Sequence, residues 1–197
     1  MSKEAMSAFV KEKVTPRFDQ ALADAQRKLE AAQREIEDLK AAKGTLAWEV
    51  DGIGTVYINI ADGKMSIADS AAEAPFLSII LSAADWQRLS TGSVPGGMMM
   101  GGRQQVLGQT RIQRIKGLKG MIRFLVTGLP DGGEMSTLLH FGTDARPAQP
   151  QTTIRMSAEV AQKLQNNELN PQMAFMQGQL KMEGDAGLAM QVGMAMM

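Results

Sequence analysis

The sequence has no cysteine and one histidine, and aromatic residues make up only 5% of it. Without cysteine there can be no disulfide, no thiolate metal site and no cysteine nucleophile. His140 has no histidine partner for a metal site or an acid–base dyad, so a structural or surface place in its strand is expected. No glycine-rich phosphate cradle follows a strand, and no nucleophile–base or metal constellation is visible. Neither an enzyme nor a resident cofactor is therefore expected, and no metal ligand is assigned. No stretch approaches the ~20 apolar residues that span a bilayer. The opening MSKEAMSAFVKEKV lacks the apolar core and cleavage site of a secretory signal, and the closing AMM is not a peroxisomal address. The chain reads as cytoplasmic.

Net charge is also missing, with 21 Lys plus Arg against 21 Asp plus Glu, but the distribution is uneven. No acid occurs from Trp86 through Pro130, a stretch holding Arg88, Arg103, Arg111, Arg114, Lys116, Lys119 and Arg123. These are either separately solvated cations or a patch for anionic lipid head groups or a coenzyme A phosphate. In the second case Arg111, Arg114, Lys116 and Lys119 are the contact candidates, at about 1 kcal/mol per cation near a charged membrane. Stacking aromatics are absent there, which argues against nucleic acid. After Asp185 the chain carries no charge at all.

Methionine is abundant, with 16 copies, and hydrophobic residues reach 44%. Met either fills core or provides an apolar surface that adapts to several shapes. In the same acid-free stretch, PGGMMMGG is either an inserted surface loop or an apolar flap.

Period and punctuation divide the chain. In TPRFDQALADAQRKLEAAQREIEDLKAAKG, Thr15 is the expected N-cap, Pro16 the first helical residue and Gly44 the stop. Phe18, Leu22, Ala25, Leu29, Ala32, Ile36 and Leu39 recur in steps of four and three. That is the coiled-coil rule, read as self-association into a homodimer or as packing on the chain's own globular part. From Gly44 the period becomes two: Val56, Ile58 and Ile60, a turn at Asp62-Gly63, then Met65 and Ile67 predict a hairpin with one buried face. FLSIILS (76–82) predicts a central strand, MIRFLVT (121–127) and MSTLLHF (135–141) a second hairpin, and TTIRMS (152–157) a further strand.

An internal repeat follows. SIILSAADWQRLSTG (78–92) lies over TIRMSAEVAQKLQNN (153–167) without a gap, each a strand running into a Ser-capped helix. GQTRIQ (108–113) matches GQLKME (178–183), so two copies of a strand–helix–strand unit are the economical reading. Residues 1–43 then form a helical segment, 44–120 a first unit and 121–197 a second.

In the last segment, Asn170 caps a short helix presenting Met173, Phe175 and Met176, and QLKME alternates. Asp185 can cap a final helix with Leu188, Val192 and Met196 on one stripe and Met190, Met194 and Met197 beside it. Such a helix must be buried or must cover something apolar. The run NPQMAFMQGQLKMEGDAGLAMQV resembles the C-terminal motif of the sterol carrier protein type two family. TTIRMSAEVAQKL and GMIRFLVTG…STLLHFG resemble its preceding elements. The resemblance covers Met121 to Met197 well and Gly44 to Gly120 diffusely. It implies an α+β fold, a mixed sheet with helices on one face enclosing an apolar tunnel, here preceded by a long helix. It implies binding and transfer of fatty acids, acyl-CoA esters, sterols or phospholipids. Phe175 and Met176 would lie near the tunnel, and Leu188, Met190 and Val192 in a helix that lines or gates it. Phe124, Phe141, Met156, Leu164, Met173 and Leu180 complete the expected lining. A scaffold or accessory subunit that has lost the tunnel is the alternative.

Overall fold

The computed structural model describes residues 2–91 and 107–196. It falls into two compact units, Met1–Asp38 and Leu39–Met197.

The first unit is helical: α1 (Lys3–Phe9), one π-turn (Val10–Val14) and α2 (Thr15–Ala41), whose last residues enter the second unit. Thr15 is not the cap. Ser2 holds that place, its Oγ accepting from the Ala5 N–H, and the chain is already helical at Thr15. Pro16 explains the π-turn: it has no N–H to give and its ring crowds the preceding turn. Widening the helix by one residue, so that the Thr15 N–H donates to the Val10 carbonyl, absorbs the defect. Phe18, Leu22, Leu29 and Ile36 are all exposed. Gly44 does not end the helix either; α2 stops at Ala41 and Gly44 opens the first strand. A Cβ at Gly44 would stand 2.6 Å from the Phe76 ring, so close packing explains this glycine.

The second unit is built on one eight-stranded mixed sheet of order β3-β2-β1-β4-β6-β5-β7-β8. The strands are β1 (Gly44–Val50), β2 (Gly54–Ala61), β3 (Lys64–Ala68), β4 (Leu77–Leu81), β5 (Gly120–Thr127), β6 (Glu134–Phe141), β7 (Thr152–Ser157) and β8 (Leu180–Gly184). Between them lie α3 (Ala83–Ser90), α4 (Gln109–Lys116), α5 (Ala158–Gln165), α6 (Pro171–Met176) and, last, α7 (Ala186–Met196). The fold is α+β, as the sequence implies.

The repeat is visible in the sheet. In β2-β1-β4 the first pair is antiparallel and the second parallel, and β6-β5-β7 repeats that order in the same sense. The antiparallel pair β4·β6 joins the two trios. Ser82 and Ser157 cap matching helices, accepting from the Asp85 and Val160 N–H groups. The match of GQTRIQ to GQLKME fails structurally: the first is helix α4, the second strand β8. The place beside β4 is already taken by β6, and Ile112 and Ile115, one helical turn apart, are buried at 0% exposure.

Cross-strand partners share a face. One face carries Leu46, Ile79, Leu139, Ile122, Phe124 and Ile154. These join Ile112, Ile115, Val160, Leu188 and Val192 of the helices in one core cluster, so α4, α5 and α7 lie on this side. The opposite face carries Ala47, Ser78, His140 and Met121, outside that cluster. The first hairpin is only partly covered: Ile60 is buried, while Val56, Met65 and Ile67 are exposed, which corrects the expectation of one buried face.

Candidate functional site

Leu188 and Val192 stand one turn apart on α7 and both face the sheet, buried with Ala189 and Ala195. Asp185 starts this helix, its carboxylate accepting from the Gly187 and Leu188 N–H groups. Gly120 provides the seat. A Cβ there would meet the Leu188 Cδ2 at 3.1 Å and run into the Gln151 side chain, and the glycine has a φ of +118°. Cross-strand from Gly120 sits Phe141, at 0% exposure. A bare backbone beside an aromatic ring thus forms the socket for the final helix.

The expected lining divides into three groups. Phe141, Met156, Leu188 and Val192 are core residues on the helix-covered face. Phe124, Leu164 and Leu180 are half-buried against that core. Met173, Phe175, Met176 and Met190 are exposed, Met176 at 79%, and Met194 joins them. On α6 the cap turns these side chains outward: Asn170 Oδ1 accepts from the Gln172 N–H at 2.8 Å, and only Ala174 points inward.

Two hollows among the described residues lie elsewhere. One of about 370 Å³ is lined by Ala84, Gln87 and Arg88 of α3, by Thr91, and by Leu129, Pro130 and Asp131. The other, about 210 Å³, is lined by Gly120, His140, Asp144, Pro147 and Gln151, with Lys119 and Ala145. Neither contains a lining candidate. Phe141, Met156, Leu188 and Val192 pack against the protein's own side chains.

Sequence reasoning missed two polar groups. The Thr137 hydroxyl and the Trp48 indole N–H are buried without a hydrogen-bond partner, and both residues lie on the helix-covered face. Trp48 packs edge-on against Trp86 of α3, with ring centroids 5.9 Å apart. The available signal was a threonine alternating with Met135, Leu139 and Phe141 on β6. Burying an unpaired hydroxyl or N–H costs about 1–3 kcal/mol, which a bound polar group would offset. Arg123 Nε is likewise buried and unpaired, on the opposite face.

Among the described residues of the acid-free stretch, three cations are paired. Lys116 Nζ meets Glu73 at 2.9 Å and donates to the Lys43 carbonyl. Lys119 pairs with Asp144, and Arg88 with Asp85 and Asp131. Asp85 and Asp131, which border the stretch, and Glu73 and Asp144, farther along the chain, supply the charge that it lacks. Arg114 is exposed and Arg111 half-buried on α4, the helix lying against α7. Arg103 and the PGGMMMGG segment fall outside the described residues, as does Met197.

His140 is buried at 6% exposure on the face opposite the core. Burial pushes its pKa below the ordinary 6.5, the charge of Arg146 adds to that, and Glu49 and Asp144 oppose it. The unfolded chain then takes up the proton first, so stability falls as pH drops below about 6.5. Urea midpoints measured from pH 7.5 to pH 5.5 should fall less steeply in His140→Gln than in the parent.

The second unit is thus an α+β scaffold, a mixed sheet with one apolar face covered by helices. The model of the SCP-2 sterol transfer family matches the chain twice, over residues 22–112 and 104–197, and the chain belongs to that family. Among solved structures it is similar to sterol carrier protein domain 2 of Helicoverpa armigera, at 30% identity over 42% of this chain and 70% of that one, with a TM-score of 0.35. It is similar also to the apo form of sterol carrier protein 2 from Yarrowia lipolytica, at 22% identity over 40% and 73%, TM-score 0.33. A third is palmitated SCP2L2 from Aedes aegypti, at 20% identity over 45% and 92%, TM-score 0.33. No curated protein matches the chain. Among the described residues no helix is long and apolar enough to cross a membrane, and no acidic or histidine cluster could hold a metal ion.

Proposed function

We propose that this chain is a non-catalytic lipid-binding or lipid-transfer protein of the cytoplasm. It takes a fatty acyl, acyl-CoA or sterol-like ligand onto the helix-covered face of its sheet. The observation that carries this reading is the distribution of apolar side chains on α6 and α7. Leu188 and Val192 are buried, whereas Met173, Phe175, Met176, Met190 and Met194 are left in water. Helix α6 lies against edge strand β8, and α7 against β7, β8 and α4, towards one end of the sheet. Swinging them outward would open the packed face to an acyl chain while the flexible Met side chains follow its shape. Thr137 and Trp48 offer hydrogen bonds to an oxygen carried inward. Arg114, beside α7, would meet an anionic head group, whereas Lys116 and Lys119 would first have to exchange their acid partners. The long N-terminal helix, with its apolar stripe in water, would join two such chains.

Displacement of a fluorescent fatty acid tests the reading. The parent should bind it, and Phe175→Asp with Met176→Asp should weaken binding by about tenfold, through lost apolar contact. No binding by the parent would remove the carrier reading. The packing of Phe141, Met156, Leu188 and Val192 into continuous core favours a second reading, a scaffold or accessory subunit that works without a ligand. Native mass spectrometry separates the two: co-purified lipid supports the carrier, an empty chain the scaffold.

A further inference from the structure

We infer that α2 pairs antiparallel with the α2 of a second copy, about a centre between Glu30 and Ala31. The inference rests on the proposed self-association and adds its orientation. It comes from the sizes and charges along the exposed seam. Leu22, Leu29 and Ile36 form one row of that seam, and Phe18, Ala25, Ala32 and Leu39 the other, with the two alanines at its centre. In a parallel pair, like meets like across the seam: Leu29 faces the partner's Leu29, and Ala25 the partner's Ala25. Wide layers would alternate with layers too narrow to touch. In the antiparallel pair Leu29 faces the partner's Ala32, and Ile36 faces the partner's Ala25. The four central layers then each hold one large and one small side chain and keep a constant separation, and Leu22 meets the partner's Leu39 in the layer at either end.

The flanking charges point the same way. Antiparallel pairing brings Lys28 beside the partner's Glu35, and Asp19 beside the partner's Lys40, each twice by symmetry. Parallel pairing offers only Glu35 with the partner's Lys40, and sets Lys28 beside the partner's Gln33. Within the chain, Asp24 pairs with Arg27 and Glu30 with Arg34, on the side away from the seam. Among the described residues, Asp19, Lys28, Glu35 and Lys40 make no ion pair or side-chain hydrogen bond. Four charges that border the apolar stripe are thus left for a partner helix.

The absence of cysteine makes the test direct. Sedimentation of the full chain at micromolar concentration should show a dimer, and Leu29→Asp a monomer with unchanged helix content. Lys28→Glu should weaken the dimer by about tenfold at low salt, from the modest energy of exposed ion pairs. Adding Glu35→Lys to that variant should restore it. Under mild oxidation, a mixture of Ala25→Cys and Ile36→Cys chains should form the mixed disulfide, and Ala25→Cys alone should not cross-link. A monomeric parent would overturn self-association itself. A dimer in which Ala25→Cys cross-links to itself, or in which Lys28→Glu has no effect, would overturn the orientation alone. Fatty-acid displacement on the same variants reports separately on the lipid reading, which does not depend on either result.

Discussion

Phe141→Ala is expected to remove about 4 kcal/mol of unfolding free energy, within the range for truncating a buried aromatic. The ring is fully buried at the end of β6, cross-strand from Gly120 on one side and Leu77 on the other. On the β5 side nothing can fill the gap, because Gly120 has no side chain to swing into it. Urea unfolding would measure the loss, provided the slope of the transition stays unchanged. The cavity also probes function: it is apolar, beside Leu188, and of a kind that binds apolar guests. If an acyl chain reaches the helix-covered face, saturating fatty acid should recover more stability in this variant than in the parent.

Leu188→Asp is the second large effect, at about 3–5 kcal/mol, because it places an unpaired carboxylate under α7. The side chain is 5% exposed and rests on Gly120. The chain can respond by keeping the group protonated or by releasing the helix, and both oppose folding. Met190→Asp, half a turn away and 64% exposed, should change stability by less than about 0.5 kcal/mol. Thermal melts of the pair at neutral pH distinguish the docked face of α7 from its free face. Equal losses would mean that both faces are covered.

Much of this molecule is legible in the order of its residues, because local rules and the fold agree. Asn170-Pro171 opens α6, Asp185 caps α7 and Asp62-Gly63 turns with both φ angles positive, each as expected from the chemistry of those residue types. Leu77–Leu81, apolar on both faces, is indeed a central strand. What period and composition could not show was which apolar residues would lack a neighbour. Phe175 and Leu188 have the same motif pedigree, yet one lies in water and the other in the core, a difference made by elements distant in sequence. Ion pairing was hidden for the same reason: Lys116 reads as a free cation until Glu73 is folded against it. The helix start was misread because a cap signal, Thr15-Pro16, also fits a π-turn inside a longer helix.

The two strand trios are related by a shift along the sheet, and a shift has no natural end. Wherever a trio finishes on an upward strand, the next can add its downward strand to the open edge, as β6 does on β4. Strand β8 occupies the corresponding place on β7 and runs in the same sense as β6, yet it belongs to no third trio. The edge it leaves is a downward strand, to which the downward strand of another trio could no longer pair antiparallel.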